Sequence, residues 1–179
     1  KKGYGKGTDV FYPGYEKSNC YRIPTIIRVA GKDTVLAFAE NRHKKCSDSG
    51  NHDIVLRRST DGGKSWGKMI TVASGKGMPF SNANPVQVGK RILLHYDTMN
   101  NPTDTDHGYN MQTWSSDDGK SWSKATKVNF TNAPNQGKLI GPSVGISSAS
   151  SNTIYFVEHY KGEARLYWSK NGGDTWEVS

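Results

Sequence analysis

Long hydrophobic runs are missing from this 179-residue sequence. Only 34% of the residues are hydrophobic. No window approaches the roughly 20 consecutive apolar residues that a membrane-spanning helix requires, so we expect no transmembrane segment. The chain begins Lys1-Lys2-Gly3, without the apolar stretch of a secretory signal peptide. Because such a signal is removed during maturation, its absence does not argue for the cytosol.

Cysteine is also scarce. The only two, Cys20 and Cys46, exclude a disulfide framework of several bridges. Two alternatives stay open: one bridge between neighbouring segments in an oxidising compartment, or two inert free thiols. Asn129-Phe130-Thr131 is an N-glycosylation sequon, which agrees with secretion. We expect an extracellular or secreted protein, with a lysosomal or membrane-associated location as the alternatives.

Acidic residues are in deficit: 16 Asp and Glu stand against 24 Lys and Arg, for a formal net charge of +8. Such a balance attracts an acidic partner, for example an acidic glycan, but it is also typical of a solvated basic surface. The histidines show no metal-ligand spacing, so we expect no metal and no cofactor. The five histidines are His43, His52, His95, His107 and His159.

What the sequence does contain is an internal repeat. The pattern Ser-x-Asp/Asn-x-Gly-x-Ser/Thr-Trp occurs at residues 59–66, 115–122 and 169–176. The spacing between copies is close to the length of a propeller blade. Asp or Asn near Gly supplies the positive φ angles of a tight β-turn, and the Trp ring anchors the returning strand. Each copy therefore predicts a structural turn between two strands.

Short runs rich in β-branched or aromatic residues flank these turns, and no sustained helical period appears. The predicted strands cover residues 25–29, 34–39, 53–58, 68–72, 91–96, 109–114, 153–158 and 165–168. Evenly spaced strands with one aromatic turn motif per repeat indicate a β-propeller. We therefore predict an all-β fold in which residues 1–179 form about three propeller blades.

Two further motifs precede the first repeat. The sequence Tyr21-Arg22-Ile23-Pro24 is followed by Leu-Ala-Phe-Ala-Glu-Asn-Arg at residues 36–42. In this order they resemble the Phe/Tyr-Arg-Ile-Pro and Leu-Ala-Phe-Ala-Glu-x-Arg motifs of sialidases, and the octapeptide resembles the Asp-box, or BNR repeat, of the same family. The similarity spans essentially the whole chain. It implies the N-terminal half of a six-bladed propeller, with the Asp-boxes in a structural role.

The resemblance also implies roles for single residues. Arg22 matches one of three arginines that clamp the carboxylate of sialic acid, a task suited to a guanidinium. Arg42 matches a second basic residue, which contacts the sugar near its 4-hydroxyl. Asp48 matches the acid/base catalyst, with Asp53 as the competing candidate. Asn84, which precedes a proline, resembles a residue that lines the sugar pocket and is expected to bind substrate.

The implied function is that of an exo-α-sialidase, which releases terminal sialic acid from sialylated glycans or glycoproteins; no nucleic-acid partner is expected. The family's remaining arginines, its Tyr nucleophile and the Glu partner lie in the second half of the propeller. We expect that half to come from the same polypeptide, from another chain or from a homodimer. The alternative is a sialic-acid-binding lectin or a half-propeller interaction module without turnover. Four tyrosines lie in no matching motif and receive no role: Tyr96, Tyr109, Tyr155 and Tyr160.

Overall fold

The computed structural model describes residues 7–99, 107–135 and 139–179. Apart from one short 3₁₀ turn at Tyr15–Lys17, its regular structure consists of three antiparallel sheets, here called blades 1, 2 and 3. Blade 1 contains β1 (Cys20–Arg28), β2 (Val35–Arg42), β3 (His52–Ser59) and β4 (Ile70–Ser74). Blade 2 contains β5 (Phe80–Val88), β6 (Arg91–Met99), β7 (His107–Ser115) and β8 (Thr126–Lys127). Blade 3 contains β9 (Leu139–Ile140), β10 (Ile146–Ser147), β11 (Ile154–Tyr160), β12 (Glu163–Ser169) and β13 (Glu177–Val178).

Apart from β9 and β10, which both pair with β11, consecutive strands are neighbours within each sheet, as in the blades of a propeller. Blades 1 and 2 have the orders β1-β2-β3-β4 and β5-β6-β7-β8, and blade 3 has the order β10-β11-β12-β13, with β9 also paired to β11. The predicted all-β fold with about three blades is confirmed. No helix in the described part of the chain is long and apolar enough to cross a membrane.

Each octapeptide repeat forms the turn between the last two strands of its blade. In the first copy, the Ser59 hydroxyl donates to Asp61 Oδ1 at 2.6 Å and accepts from the Gly63 backbone N–H at 2.8 Å. Asp61 Oδ1 also accepts from the Ser65 backbone N–H at 2.9 Å. The same bonds recur in the other two copies. The repeated residues are therefore those that satisfy the turn's own polar groups.

The hydrophobic core lies between the blades. Leu36 and Phe38 of β2 pack against Ile92 and Leu94 of β6, and all four side chains are buried. Between blades 2 and 3 the core is aromatic: the ring of His95 stacks on Phe156 with centroids 4.4 Å apart, and Tyr167 and Trp176 complete the cluster. Because each blade buries its faces against its neighbours, the blades stabilise one another.

The innermost strands differ most from the prediction. β1 begins at Cys20 and so includes Arg22, while β5 was not predicted at all. Both strands contain proline, which usually argues against a strand but is tolerated at the edge of a sheet, where these strands lie. Both also carry a bulge, at Arg22/Thr25 in β1 and at Ser81/Asn84 in β5. A bulge redirects side chains, and both bulges lie at the candidate site.

Candidate functional site

A cavity of about 400 Å³ opens where blades 1 and 2 meet the start of blade 3. Its lining combines cationic, anionic and amide side chains with apolar ones. The lining residues are Arg22, Ile23, Glu40, Arg42, Asp48, Ser81, Asn82, Met99 and Leu139. Three of the residues expected from the sequence to form one site are therefore brought together: Arg22, Arg42 and Asp48.

Arg22 lies at the bulge of β1, next to Ile23, whose φ of 50° is unusual for a β-branched residue. Its Nη1 donates to Asp48 Oδ1 at 3.2 Å and to the carbonyl oxygen of Cys46 at 3.3 Å. Within the described residues, its Nε and Nη2 make no hydrogen bond. Since the side chain is 45% exposed, Arg22 retains donors that an acidic ligand can reach.

Arg42, by contrast, is buried, and all three of its guanidinium nitrogens donate hydrogen bonds to the protein. Its side chain is 2% exposed, and Nε and Nη2 donate to Glu40 Oε2 at 2.8 and 2.6 Å. Its Nη1 donates to Asp48 Oδ1 and to the Cys46 carbonyl oxygen, both at 2.8 Å. Glu40 and Arg42 lie two residues apart in β2, so their side chains share one face. Among the described residues, the N–H groups of Arg42 are thus largely taken up by Glu40, Asp48 and the Cys46 carbonyl.

Asp48 is the point at which the two arginines converge. It lies in the connection between β2 and β3, and its side chain is 69% exposed. The hydrogen bond from Arg42 lowers the pKa of Asp48, and the positive charges of Arg42 and Arg22 act in the same direction. The carboxylate is therefore ionised when the cavity holds no other anion.

The competing candidate, Asp53, lies outside the cavity. It is a buried residue of β3 that contacts His43 Nε2 at 2.6 Å and accepts from the Gly75 backbone N–H at 3.0 Å. These contacts tie β3 to the adjoining loops. The geometry favours Asp48 over Asp53 as the carboxylate at the site.

The two cysteines form a disulfide between Cys20 of β1 and Cys46 in the β2–β3 connection, with Cα atoms 5.5 Å apart. Of the two alternatives that the sequence left open, the structure contains the bridge. It places the Cys46 carbonyl where both Arg22 and Arg42 donate to it. The disulfide therefore adjoins the two arginines of the site, although neither cysteine lines the cavity.

Asn84 does not line the cavity, and its expected role in substrate binding stays a prediction. Its side chain is completely buried, with Nδ2 donating to the Asn82 carbonyl at 2.6 Å and Oδ1 accepting from the Ser143 backbone N–H at 2.7 Å. Asn82 lines the cavity instead. The extra residue of the β5 bulge changes which side chains face the cavity, and a motif of two residues does not reveal that shift.

Asn82 is a site residue that sequence reasoning missed. Its backbone N–H donates to Glu40 Oε1 at 3.0 Å, and its Nδ2 donates to Asp97 Oδ2 at 3.0 Å. Its φ of 54° lies in the left-handed region, which asparagine tolerates better than most residues. Burial raises the pKa of both Glu40 and Asp97, so this side of the cavity is built on two carboxyl groups removed from water.

Five other cavity residues were also missed: Ile23, Glu40, Ser81, Met99 and Leu139. Glu40 had a signal, because it stands two residues before Arg42 directly after the strand predicted at residues 34–39. Extending that strand by three residues places both side chains on one face. Met99 and Leu139 lie at the end of β6 and the start of β9, where local sequence carries no sign of a shared cavity.

Two remaining expectations concern residues away from the cavity. Asn129 of the glycosylation sequon is exposed, as an acceptor must be. Across residues 7–99, 107–135 and 139–179, no three His, Cys, Asp or Glu side chains are grouped to hold a metal ion. His107 begins β7, but its side chain lies outside what the structure describes.

Known proteins with similar sequences are sialidases. A sialidase from Bacteroides fragilis is 29% identical over 207 aligned residues, which cover 96% of this chain and 37% of that protein. An exo-alpha-sialidase from Arthroderma benhamiae is 25% identical over 187 residues, covering 88% of this chain and 45% of that protein. The chain thus spans less than half the length of these relatives.

The fold is also found among solved structures. The NanB sialidase from Streptococcus pneumoniae matches 97% of this chain and 46% of its own chain, with a TM-score of 0.84 at 16% identity. The family model described as a BNR repeat-like domain matches residues 33–179. With most of its length matched by that model, the chain belongs to the family of BNR repeat-like domains, and the resemblance to sialidases indicated by its motifs is confirmed.

Proposed function

We propose that the cavity binds terminal sialic acid and that this chain provides the acid/base half of an exo-α-sialidase active site. The observation that carries the proposal is the convergence of Arg22 and Arg42 on one oxygen of Asp48 at the cavity. A ligand with a carboxylate beside a glycosidic bond fits this arrangement, because Arg22 has an exposed side chain that can bind the ligand carboxylate and the carboxyl group of Asp48 stands next to it.

Arg22 is the residue that binds the sugar carboxylate. Its two bonds to described residues both use Nη1, so the Nε–Nη2 edge can pair with a carboxylate through two parallel hydrogen bonds. Arg42 holds Asp48 in place and keeps it ionised while the site is empty of substrate. This division of labour follows from exposure: Arg22 is half-exposed, whereas Arg42 is buried.

Asp48 is the general acid and later the general base. As an acid it must hold a proton, yet the arginines lower its pKa. The substrate carboxylate changes that balance, because its negative charge offsets Arg22 and the sugar displaces water from around Asp48; both effects raise the carboxyl pKa. Protonated Asp48 then donates its proton to the departing glycosidic oxygen as the bond from carbon to that oxygen breaks.

A complete active site also needs the remainder of the propeller. The outer face of blade 3 carries Val157 and Leu166, paired across β11 and β12 and 47% and 42% exposed. At the other end, Trp66 and Trp122 of the first two Asp-boxes are both partly buried. Trp122 packs on Phe38 of the preceding blade, whereas no blade precedes that of Trp66 within the described residues. Both features fit contacts with further blades. The resemblance to sialidases implies that these blades form the second half of the propeller and that they carry the Tyr nucleophile.

The role of Asp48 is tested by Asp48→Asn in the polypeptide that carries the whole propeller. Turnover of a fluorogenic sialoside should fall by about 10²-fold or more, because general acid–base catalysis typically contributes 10²–10⁴-fold. Asp174→Asn, a change of the same chemistry at an exposed position of the third Asp-box, should leave turnover unchanged. Unaltered turnover in Asp48→Asn would exclude Asp48 as the catalyst.

The role of Arg22 is tested by binding. Arg22→Lys keeps the charge but loses the paired hydrogen bonds, so affinity for sialic acid should fall by about 10-fold or more, the value of a hydrogen bond to a charged group. Arg28→Lys is the matched control, since Arg28 lies on the same strand and pairs with Asp33 on an exposed surface. Equal affinities in the two variants would remove Arg22 from the site.

The same measurements decide between enzyme and lectin. Tight binding of sialylated glycans, without turnover by the whole propeller, would support the lectin or interaction module. We further propose a secreted location, which the disulfide supports, because such bonds persist mainly in oxidising compartments.

A further inference from the structure

The connection between β2 and β3, residues 43–51, is called the Asp48 loop below. It contains no helix or strand, and the side chain that matters most, Asp48, is largely exposed. One backbone bond closes its base, from the His43 N–H to the Asn51 carbonyl at 3.2 Å. A loop of this kind does not fix a carboxylate by packing, so its position depends on a few specific contacts.

Three of those contacts meet at a single residue. Cys46 is joined covalently to Cys20, and its carbonyl oxygen accepts from Arg42 Nη1 at 2.8 Å and from Arg22 Nη1 at 3.3 Å. The same two nitrogens also hold Asp48 Oδ1. The two guanidinium groups therefore bind the loop at the Cys46 carbonyl and at the Asp48 carboxylate. The disulfide fixes the position of Cys46.

Each cysteine of the bridge lies two residues before a residue of the site. Cys20 precedes Arg22 by two residues in β1, and Cys46 precedes Asp48 by two residues in the loop. Two residues of chain reach at most about 7 Å, so fixing the cysteines limits how far the cation and the carboxylate can separate. The link joins the strand that carries the cation to the loop that carries the acid.

Blade 1 has other contacts that hold it together besides this bridge. β1 and β2 already pair along their length, from Cys20 opposite Arg42 to Arg28 opposite Val35. The core residues of blade 1, such as Leu36 and Phe38, pack on blade 2, away from the loop. What the bridge adds is therefore restraint of the Asp48 loop.

We propose that the Cys20–Cys46 disulfide is a positioning element that holds the Asp48 loop against Arg22 and Arg42. The effect of the disulfide on catalysis rests on the function proposed above. Its restraint of the Asp48 loop can be measured in this chain alone. Breaking the bond leaves the blades folded and releases Asp48 from its cationic partners.

The first experiment follows the Asp48 carboxyl by NMR in the chain labelled with ¹³C at aspartate. Charged and titratable groups acting on it are Arg22 from β1, Glu40 and Arg42 from β2, and His52 from β3. In the oxidised chain the pKa of Asp48 is lowered, chiefly by Arg42. After reduction it should rise toward the ordinary aspartate value of about 3.9, and amide exchange in residues 43–51 should accelerate at least about 10-fold.

Attribution to this bond is direct, because the sequence contains only two cysteines. The variant Cys20→Ser/Cys46→Ser should show the reduced behaviour without reductant and no further response to it. Ser47→Ala is the matched control in the same loop: it removes the hydroxyl bond to the Ser49 carbonyl and leaves the bridge intact. It should titrate like the oxidised parent.

Three results would overturn the proposal. One is an Asp48 pKa and loop exchange that do not change on reduction. Another is loss of protection throughout β2 and β3, which would make the bridge a general staple of the fold. The third is an equal effect of Ser47→Ala, which would assign the restraint to bonds within the loop.

Turnover gives a second readout, in the polypeptide that carries the whole propeller. A displaced general acid matters more for a sialoside with a sugar leaving group than for one with an acidic phenol, so reduction should slow the first substrate more. Equal slowing would contradict a positioning role. If neither substrate is hydrolysed before reduction, the proposed function fails while the NMR result still decides the restraint.

Discussion

Glu40→Gln isolates the buried ion pair beneath the candidate site. Glu40 is 1% exposed and accepts two hydrogen bonds from Arg42 and one from the Asn82 backbone N–H. Glutamine keeps the shape and an oxygen for Asn82 but removes the charge. Arg42 then stays buried with only the largely exposed Asp48 as its counter-charge.

The expected cost is about 3–5 kcal/mol of unfolding free energy, the range for removing one partner of a buried ion pair. That is a large part of the roughly 5–15 kcal/mol available to a typical domain. Urea denaturation followed by tryptophan fluorescence measures it, as a lower midpoint at unchanged slope. Glu163→Gln, at an exposed position of β12, is the control and should change the stability by less than about 0.5 kcal/mol.

A decrease of less than about 1 kcal/mol in the unfolding free energy of Glu40→Gln would refute the reasoning. It would mean that water hydrates the Arg42 guanidinium, so that the unpaired charge is not desolvated. The double variant Glu40→Met/Arg42→Met separates charge from packing. Because two apolar side chains leave no buried charge, its stability should recover to near that of the parent. If the double variant is as unstable as Glu40→Gln, packing and not electrostatics governs this position.

Two further predictions concern the Asp-boxes. Hydrogen bonds from the Ser121 side chain and backbone lower the pKa of Asp117 to about 2. The ionised Asp117 carboxylate therefore stabilises the fold fully above about pH 4, and this stabilisation is lost as the pH falls from about 4 to about 2. Asp117→Asn, which copies the natural Asn171 of the third box, should fold and show a smaller drop in Tm between about pH 6 and pH 2; equal drops would contradict this. Trp176→Ala should cost about 3–5 kcal/mol in urea denaturation, since its ring is completely buried, and more than Trp66→Ala; the reverse order would contradict the burial argument.

The fold was predictable because its signals are local. An Asp-box satisfies its own polar groups within eight residues, so Ser115 and Asp117 identify a turn without knowledge of the rest of the chain. The flanking strands follow from β-branched and aromatic runs. The inner strand β5 escaped prediction because Pro85 is a poor strand residue except at a sheet edge, and edge position is a property of the whole sheet.

The candidate site was predictable only in part. Arg22, Arg42 and Asp48 lie in or near motifs that a family resemblance can align. Their division into a half-exposed cation and a buried one depends on packing around each side chain, which neither the motifs nor the spacing contains. The shift from Asn84 to Asn82 came from a bulge, and a single extra residue reverses which side chains face the cavity.

The bulges also explain why the site lies between blades. A bulge takes a backbone N–H out of the regular ladder, and a buried donor needs another acceptor. At the seam between blades 1 and 2, Glu40 accepts from the backbone N–H of Asn82, which lies in the β5 bulge. At the next seam, independently of these bulges, Asp97 of β6 accepts from the backbone N–H of Ile140 in β9.

Burial raises the pKa of both carboxyl groups, so their removal from water is costly, and the hydrogen bonds across the seams offset part of that cost. Since Glu40 also holds Arg42, the bond that joins blade 1 to blade 2 is part of the same network that orients Asp48. A change in the inner strand of blade 2 must therefore reach the carboxylate on blade 1. The cavity and its charges belong to the pair of blades and not to either one.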